Sequence, residues 1–215
     1  MQPDADFNAM PILIRLIPAA ILSALAATAL PVAAADPKVL ARGEEIVQAK
    51  CFICHGAEGE SSSPAFPRLA GQNANYMVRQ LNDYKSGRRK SSTMQPMVED
   101  LNEADFKALG VFFASRPTFG HEVADPELAA VGLYIFKHGN PDSGVASCAS
   151  CHGANAHGTD SLPRLAGQHA QYTLNQLKQF NKRERTNDNA VMHGIASKLT
   201  ELEAKGVASY ISGLK

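Results

Sequence analysis

The chain has 215 residues, 45% of them hydrophobic and 20% charged, with 21 Lys and Arg against 21 Asp and Glu. That composition belongs to a globular chain rather than a disordered one, long enough for two small domains. Zero formal net charge excludes the basic excess with which nucleic-acid binders meet phosphate. With no tryptophan and 7% aromatic residues, the core is short of large side chains.

Residues 11–35 hold one cation, Arg15, then an apolar run from Leu16 to Val32, then small residues ending at Ala35. A positive flank, a short apolar stretch and an Ala-x-Ala site are the order of a secretory signal peptide. The run is at the short limit for spanning a bilayer and contains Pro18 and Pro31, which weighs against an uncleaved anchor. Residues 1–35 are therefore expected to be removed, and the mature chain to work in the periplasm, where disulfides are permitted.

From Asp36 onward the sequence is one unit written twice. ADPKVLARGEEIV (35–47) returns as ADPELAAVGLYIF (124–136), and the later segments return 96–98 residues behind their first copies. These are CFICHG (51–56) with CASCHG (148–153), FPRLAGQ (66–72) with LPRLAGQ (162–168), and NYMVRQL (75–81) with QYTLNQL (171–177). The last segment, 94–115, returns as 192–213. Two copies are too few for a solenoid, so each is expected to close on itself. The domains predicted are 36–116 and 124–215, joined by the Pro/Gly-bearing linker 117–123, with an insertion at His138–Gly144 in the second.

Both units read as helical throughout. Asp36 and Asp125 suit helix N-caps, each followed by proline at the first helical position. Leu40, Gly43, Ile46 and Val47 share a helical face, as do Tyr76, Gln80, Leu81 and Tyr84, and Phe106, Leu109, Phe112 and Phe113. No alternating Val/Ile/Thr run and no Asn-Gly hairpin signal appears. Gly43 and Gly132 fall inside the first helices, where glycine is costly unless another helix approaches closely. Phe112 and Tyr210 on the last helices are the expected neighbours.

All four cysteines fall in two CxxCH motifs, Cys51/Cys54/His55 and Cys148/Cys151/His152. A redox-active disulfide of the thioredoxin type needs a βαβ setting, which is absent, and a zinc site has no need of the histidine after the second cysteine. Covalent haem needs all three: two thiols add to the vinyl groups and the adjacent imidazole reaches the iron. A buried macrocycle also supplies the apolar bulk that a domain of about 80–90 residues lacks.

The sixth iron position decides between electron transfer and oxygen or peroxide chemistry. No histidine lies between His55 and His121, which leaves Met77, Met94 and Met97 in the first unit. Met77 reads as a core residue. Met94 and Met192 stand seven residues before the matching Leu101 and Leu199, whereas Met97 aligns with Ile195, so Met94 is preferred. In the second unit Met192 competes with His193, His169 and His157. Pro67 and Pro163 precede the shared RLAGQ, and their carbonyls are expected to accept the other ring N–H of His55 and His152. Arg88, Arg89, Arg183 and Arg185 precede the two Met segments and lie either against haem propionates or on a solvated face.

The duplicated CxxCH units, PRLAGQ after each and the Met ahead of each last helix resemble the dihaem cytochrome c4 family over residues 36–215. The resemblance implies an all-α fold of two tandem class I cytochrome c domains holding two covalently bound haems c. His55, Met94, His152 and Met192 then become axial ligands, and Cys51, Cys54, Cys148 and Cys151 the attachment points. It further implies an electron carrier between a cytochrome bc complex or dehydrogenase and a terminal oxidase, at the periplasmic face of the membrane. The rival class is a haem enzyme, such as a dihaem peroxidase or a dehydrogenase subunit. Such an enzyme needs one open iron beside acid–base groups.

Overall fold

The computed structural model describes residues 35–215, which form one compact unit. The export-signal reading lies outside the described residues, Ala35 apart. In chain order the helices are α1 (Pro37–Ile46), α2 (Phe52–His55), α3 (Ala74–Lys85), α4 (Met94–Val98) and α5 (Glu103–Ala114). There follow α6 (Pro126–His138), α7 (Ala149–His152), α8 (Ala170–Asn181), α9 (Val191–Ala196) and α10 (Glu201–Gly213). No strand occurs among the described residues. An isolated bridge between Asn140 and Val145 closes the loop that the second copy inserts after α6.

Local chemistry sets the helix starts. The Asp36 side chain accepts from Lys38 N and the Asp125 side chain from Leu128 N, with Pro37 and Pro126 opening the helices. α5 and α10 each begin with a capping box, Asn102 with Asp105 and Thr200 with Glu203. α1 does not run straight into the first cysteine motif: a single π turn, Val47–Cys51, lies between. Such one-turn widenings gather at functional sites.

Two separate apolar cores result. In the first half Ile46, Val47, Met77, Leu81, Phe106 and Phe112 are among the buried residues, and Cys51, Tyr84 and Met94 pack against them. In the second, Ile135, Phe136, Val207 and Ile211 form the centre, with Cys148, Ile195 and Tyr210 packed around it.

In each half the first and last helices cross at a glycine. A Cβ on Gly43 would lie 2.5 Å from Ala108 O and 2.7 Å from Phe112 Cβ, as the sequence suggests. At Gly132 the nearest atoms are instead the backbone of Gly206 and Val207, and Tyr210 packs on Phe136 with ring centroids 5.4 Å apart.

The halves are joined by a reciprocal exchange between the two PRLAGQ segments. Gln72 donates to Arg164 O (2.9 Å) and accepts from Arg164 N (2.8 Å). Gln168 does the same to Arg68, donating to its carbonyl (2.9 Å) and accepting from its N–H (3.0 Å). Asn73 adds a further contact, its amide donating to the carbonyls of Thr159 and Leu162 at 2.6 Å each.

Candidate haem centres

The two CxxCH motifs occupy matching places. Each second cysteine and its histidine sit on a single helical turn, α2 or α7, and the chain then reverses at a glycine with positive φ (78° at Gly56, 80° at Gly153). A side chain is strained there, which accounts for glycine after both histidines. None of the four cysteines pairs in a disulfide. Burial pushes the Cys51 and Cys148 thiols up to about 11, so both stay protonated at neutral pH. A reactive disulfide pair needs a depressed thiol instead, and the all-helical fold has no βαβ setting for the thioredoxin-like alternative.

His55 and His152 are buried, at 6% and 8% exposure. His55 Nδ1 lies 2.9 Å from Pro67 O, and His152 Nδ1 lies 3.2 Å from Pro163 O. A carbonyl oxygen only accepts, so Nδ1 carries the hydrogen in both rings and Nε2 is left with a lone pair. Burial lowers both imidazole pKa values, against the opposing pull of the proline carbonyls, and keeps the rings neutral. A neutral ring with its tautomer held is the form that binds a metal.

Three methionines stand in the first half on different footings. Met77 is buried in the core. Met94 opens α4, half-buried against the first core, with its N–H donating to Ser91 Oγ at 3.1 Å. Met97, one turn on, is 40% exposed. In the second half Met192 is half-buried on α9. The three histidines that rival it each have a ring nitrogen on a backbone carbonyl. These are His193 Nδ1 on Phe180 O (3.0 Å), His169 Nε2 on Ser61 O (2.7 Å) and His157 Nε2 on Lys215 O (2.8 Å). His169 therefore binds the opposite half and His157 the C-terminus.

The four arginines before the Met segments divide. Arg88 and Arg183 are exposed, whereas Arg89 and Arg185 are 7% and 8% exposed. Nothing in the sequence separates the two kinds, because the partners of the buried pair come from both halves.

In each half two unpaired cysteines next in sequence to a buried neutral imidazole are a donor set that fits covalently attached haem c. The family model for cytochrome c matches residues 40–137 and 143–215. A cytochrome c4 of Thiocapsa roseopersicina is 41% identical over 184 residues, covering 83% of this chain and 93% of the relative. A crystal structure of reduced recombinant cytochrome c4 from Pseudomonas stutzeri matches with a TM-score of 0.77 at 37% identity, covering 82% of this chain and 98% of that one. A protein of Stutzerimonas stutzeri named thiosulfate dehydrogenase electron acceptor is 34% identical over 169 residues, 76% of this chain and 78% of its own. On fold, cysteine motifs and these likenesses, the chain belongs to the dihaem cytochrome c4 family, electron-transfer proteins of two cytochrome c domains with two covalently bound haems c.

Proposed function

We propose that the chain is a periplasmic electron carrier of a respiratory chain, with both irons ligated by histidine and methionine, that delivers electrons to a terminal oxidase. Units 36–116 and 124–215 each carry one centre, joined by 117–123. His55 and Met94 ligate the first iron, His152 and Met192 the second. Residues 1–35 act as a cleaved export signal, and a cytochrome bc complex or a dehydrogenase supplies the electrons. No helix among the described residues is long and apolar enough to cross a membrane; the membrane association proposed is peripheral.

The single observation that carries this reading is the pair of buried histidines with Nδ1 tied to a proline carbonyl in both halves. When bound, each haem supplies an iron that changes between ferrous and ferric. The chain's own residues do the rest. The four cysteines hold the macrocycle by thioether links, and the Pro67 and Pro163 carbonyls fix the ring plane and tautomer of the histidines. Core side chains such as Leu81 and Val207 keep water out. Met94 and Met192 would hold the irons by their thioethers, a ligand that would keep out oxygen or peroxide and raise the potential. The contacts of His169 with the opposite half and of His157 with the C-terminus support Met192 over those two histidines, and the part-burial of Met94 supports it over the exposed Met97.

Ferric spectra of purified protein test the ligands. The thioether-to-iron charge-transfer band should lose one centre's share in Met94→Ala and in Met192→Ala and stay whole in Met97→Ala. A full band in Met94→Ala overturns the first assignment. Prompt cyanide binding at neutral pH to the unmodified protein would favour the enzyme class instead.

The relative named as a thiosulfate dehydrogenase electron acceptor favours a second reading of the partner, in which the donor is a thiosulfate-oxidising dehydrogenase. Rapid mixing separates the two readings. Reduced protein should be oxidised by oxidase-bearing membranes within the turnover time of the oxidase. Fast reduction by thiosulfate dehydrogenase with slow oxidation by those membranes would reverse the order of preference.

A further inference from the structure

One stretch at the boundary between the halves breaks the twofold pattern. Arg89 and Arg185 reach across as mirror images. Arg89 donates to Gln176 Oε1 (2.9 Å) and Tyr172 Oη (3.0 Å) of the second half, and Arg185 to Gln80 Oε1 and Tyr76 Oη of the first, both at 3.0 Å. Past these arginines the copies part. Arg185 follows Arg89 by 96 residues, whereas Met192 follows Met94 by 98, so the segment before Met192 carries two extra residues. Asn187 lies in that segment and crosses the boundary. Its amide nitrogen donates to Asp83 Oδ2 (2.7 Å) and Gln80 Oε1 (2.9 Å) on α3 of the first half, while its oxygen accepts from Arg185 Nε (3.0 Å). Among the described residues the matching stretch, 90–93, makes no hydrogen bond to the second half, and Gln179 stands where a counterpart of Asp83 would be.

The chemistry of this contact makes it firm. Asp83 is buried, and its other oxygen pairs with the Arg88 guanidinium at 2.7 Å, which fixes the carboxylate from the opposite side. A hydrogen bond to a carboxylate is shorter and roughly twice as strong as one between neutral groups. From Asn187 the constraint passes along the chain to the helix that bears Met192. Asp188, the next residue, accepts from Ala190 N on Oδ1 (3.3 Å) and from His193 N on Oδ2 (3.0 Å), and so caps α9. Asn189 and Ala190 between them both have positive φ, 52° and 65°. That conformation is costly for an alanine and persists only where the surroundings hold it. On the other side His193 Nδ1 donates to Phe180 O of α8 (3.0 Å). The Met192 helix is thus held at its start through the first half and along its length by its own α8. α4 has no such outside tie: Met94 N donates to Ser91 Oγ three residues back, and Met94 packs on its own half's core.

We propose that Asn187 is a positioning residue for Met192, which it holds in place through its hydrogen bond to Asp83 of the other half. The sixth ligand of the second iron then depends on a contact that the first half supplies, and Met94 has no matching dependence. This role rests on the proposed ligation of the second iron by Met192. Arg183, exposed in the same segment, takes no part.

Proton NMR of the ferrous full-length holoprotein reads each axial methionine by its shifted methyl signal, the two being assigned by their loss in Met94→Ala and Met192→Ala. In Asn187→Asp, which sets a second carboxylate against Asp83, the Met192 signal should broaden or shrink while the Met94 signal stays as in the parent. In the ferric protein cyanide should bind the second haem about tenfold faster and the first at an unchanged rate. The double variant Asp83→Asn/Asn187→Asp exchanges the two groups, restores an amide-to-carboxylate bond and should recover the Met192 signal. Arg183→Gln is the control and should move neither signal. An unchanged Met192 signal in Asn187→Asp, an equal change in both signals, or no recovery in the exchanged pair would each overturn the role of Asn187. Should Asn187→Asp fail to mature, Asn187→Ala removes the bond without adding charge and is read by the same two signals. Two methyl signals persisting in Met192→Ala would overturn the ligand assignment instead, which is a separate failure.

Discussion

At Gly132 a single methyl group has nowhere to go. An added Cβ meets the Gly206 carbonyl and the Val207 amide, both of them backbone, so α6 and α10 must part to admit it. At Gly43 the contacts are Ala108 O and Phe112 Cβ, which the backbone also holds in place, but they lie farther off than those at Gly132. Overpacking costs about 1–3 kcal/mol, against a gain of roughly 0.5–1 kcal/mol from replacing a helical glycine by alanine. Gly132→Ala is therefore expected to destabilise the holoprotein by about 2 kcal/mol in denaturant unfolding, and Gly43→Ala by less. Equal or greater stability in Gly132→Ala would show that the helices separate freely. Both glycines were legible in the sequence because both copies carry one. The neighbour of Gly132 was not, because residue 206 is glycine where the first half has Ala108. That missing methyl lets α10 come in backbone to backbone.

At the scale of elements, the N-termini of α5 and α10 tie these helices to their surroundings through a carboxylate. Asp105 accepts from Asn102 N at 3.0 Å and from Arg42 Nε of α1 at 2.8 Å. The Asn102 amide first, and Arg42 after it, hold the Asp105 pKa below the ordinary aspartate value. For Glu203 burial pushes upward, but hydrogen bonds from Asn140 and Thr200 outweigh it and the net shift is also downward. A carboxylate depressed in the folded state gives stability that is complete above its unfolded pKa and lost as pH falls through the folded one. Asp105→Asn should accordingly cost about 1 kcal/mol at pH 7, with the difference from the parent shrinking below about pH 4. Denaturant midpoints across pH 3–7 measure it, and a difference that is constant with pH would place the loss in packing rather than charge. The caps themselves were legible, since Asp-Pro opens both first helices. The π turn at Val47–Cys51 was not, because one residue inserted in a turn leaves the apolar spacing on either side intact.

Across the whole molecule, duplication explains how the halves join. A surface that meets its own copy does so in reciprocal pairs, residue i of one on residue j of the other and the reverse. Gln72 on Arg164 and Gln168 on Arg68 are such a pair, and Arg89 with Arg185 is a second. The repeated PRLAGQ was plain in the sequence, yet within a single copy it reads as a loop. That its glutamine faces the other copy's backbone emerges only when both copies are folded together. Each glutamine amide satisfies a backbone N–H and a backbone C=O at once, and leaving a buried pair unsatisfied costs about 1–3 kcal/mol per group. Glutamate separates this exchange from simple filling of space: it keeps the size and the acceptor but has no N–H for the Arg68 carbonyl. Gln168→Glu should thus destabilise the boundary between the halves about as much as Gln168→Ala. In the double variant Gln72→Glu/Gln168→Glu the halves should unfold in two calorimetric steps where the parent unfolds in one. A single step at the parent temperature in the double variant would mean that the linker and the arginine pair hold the halves without the glutamines.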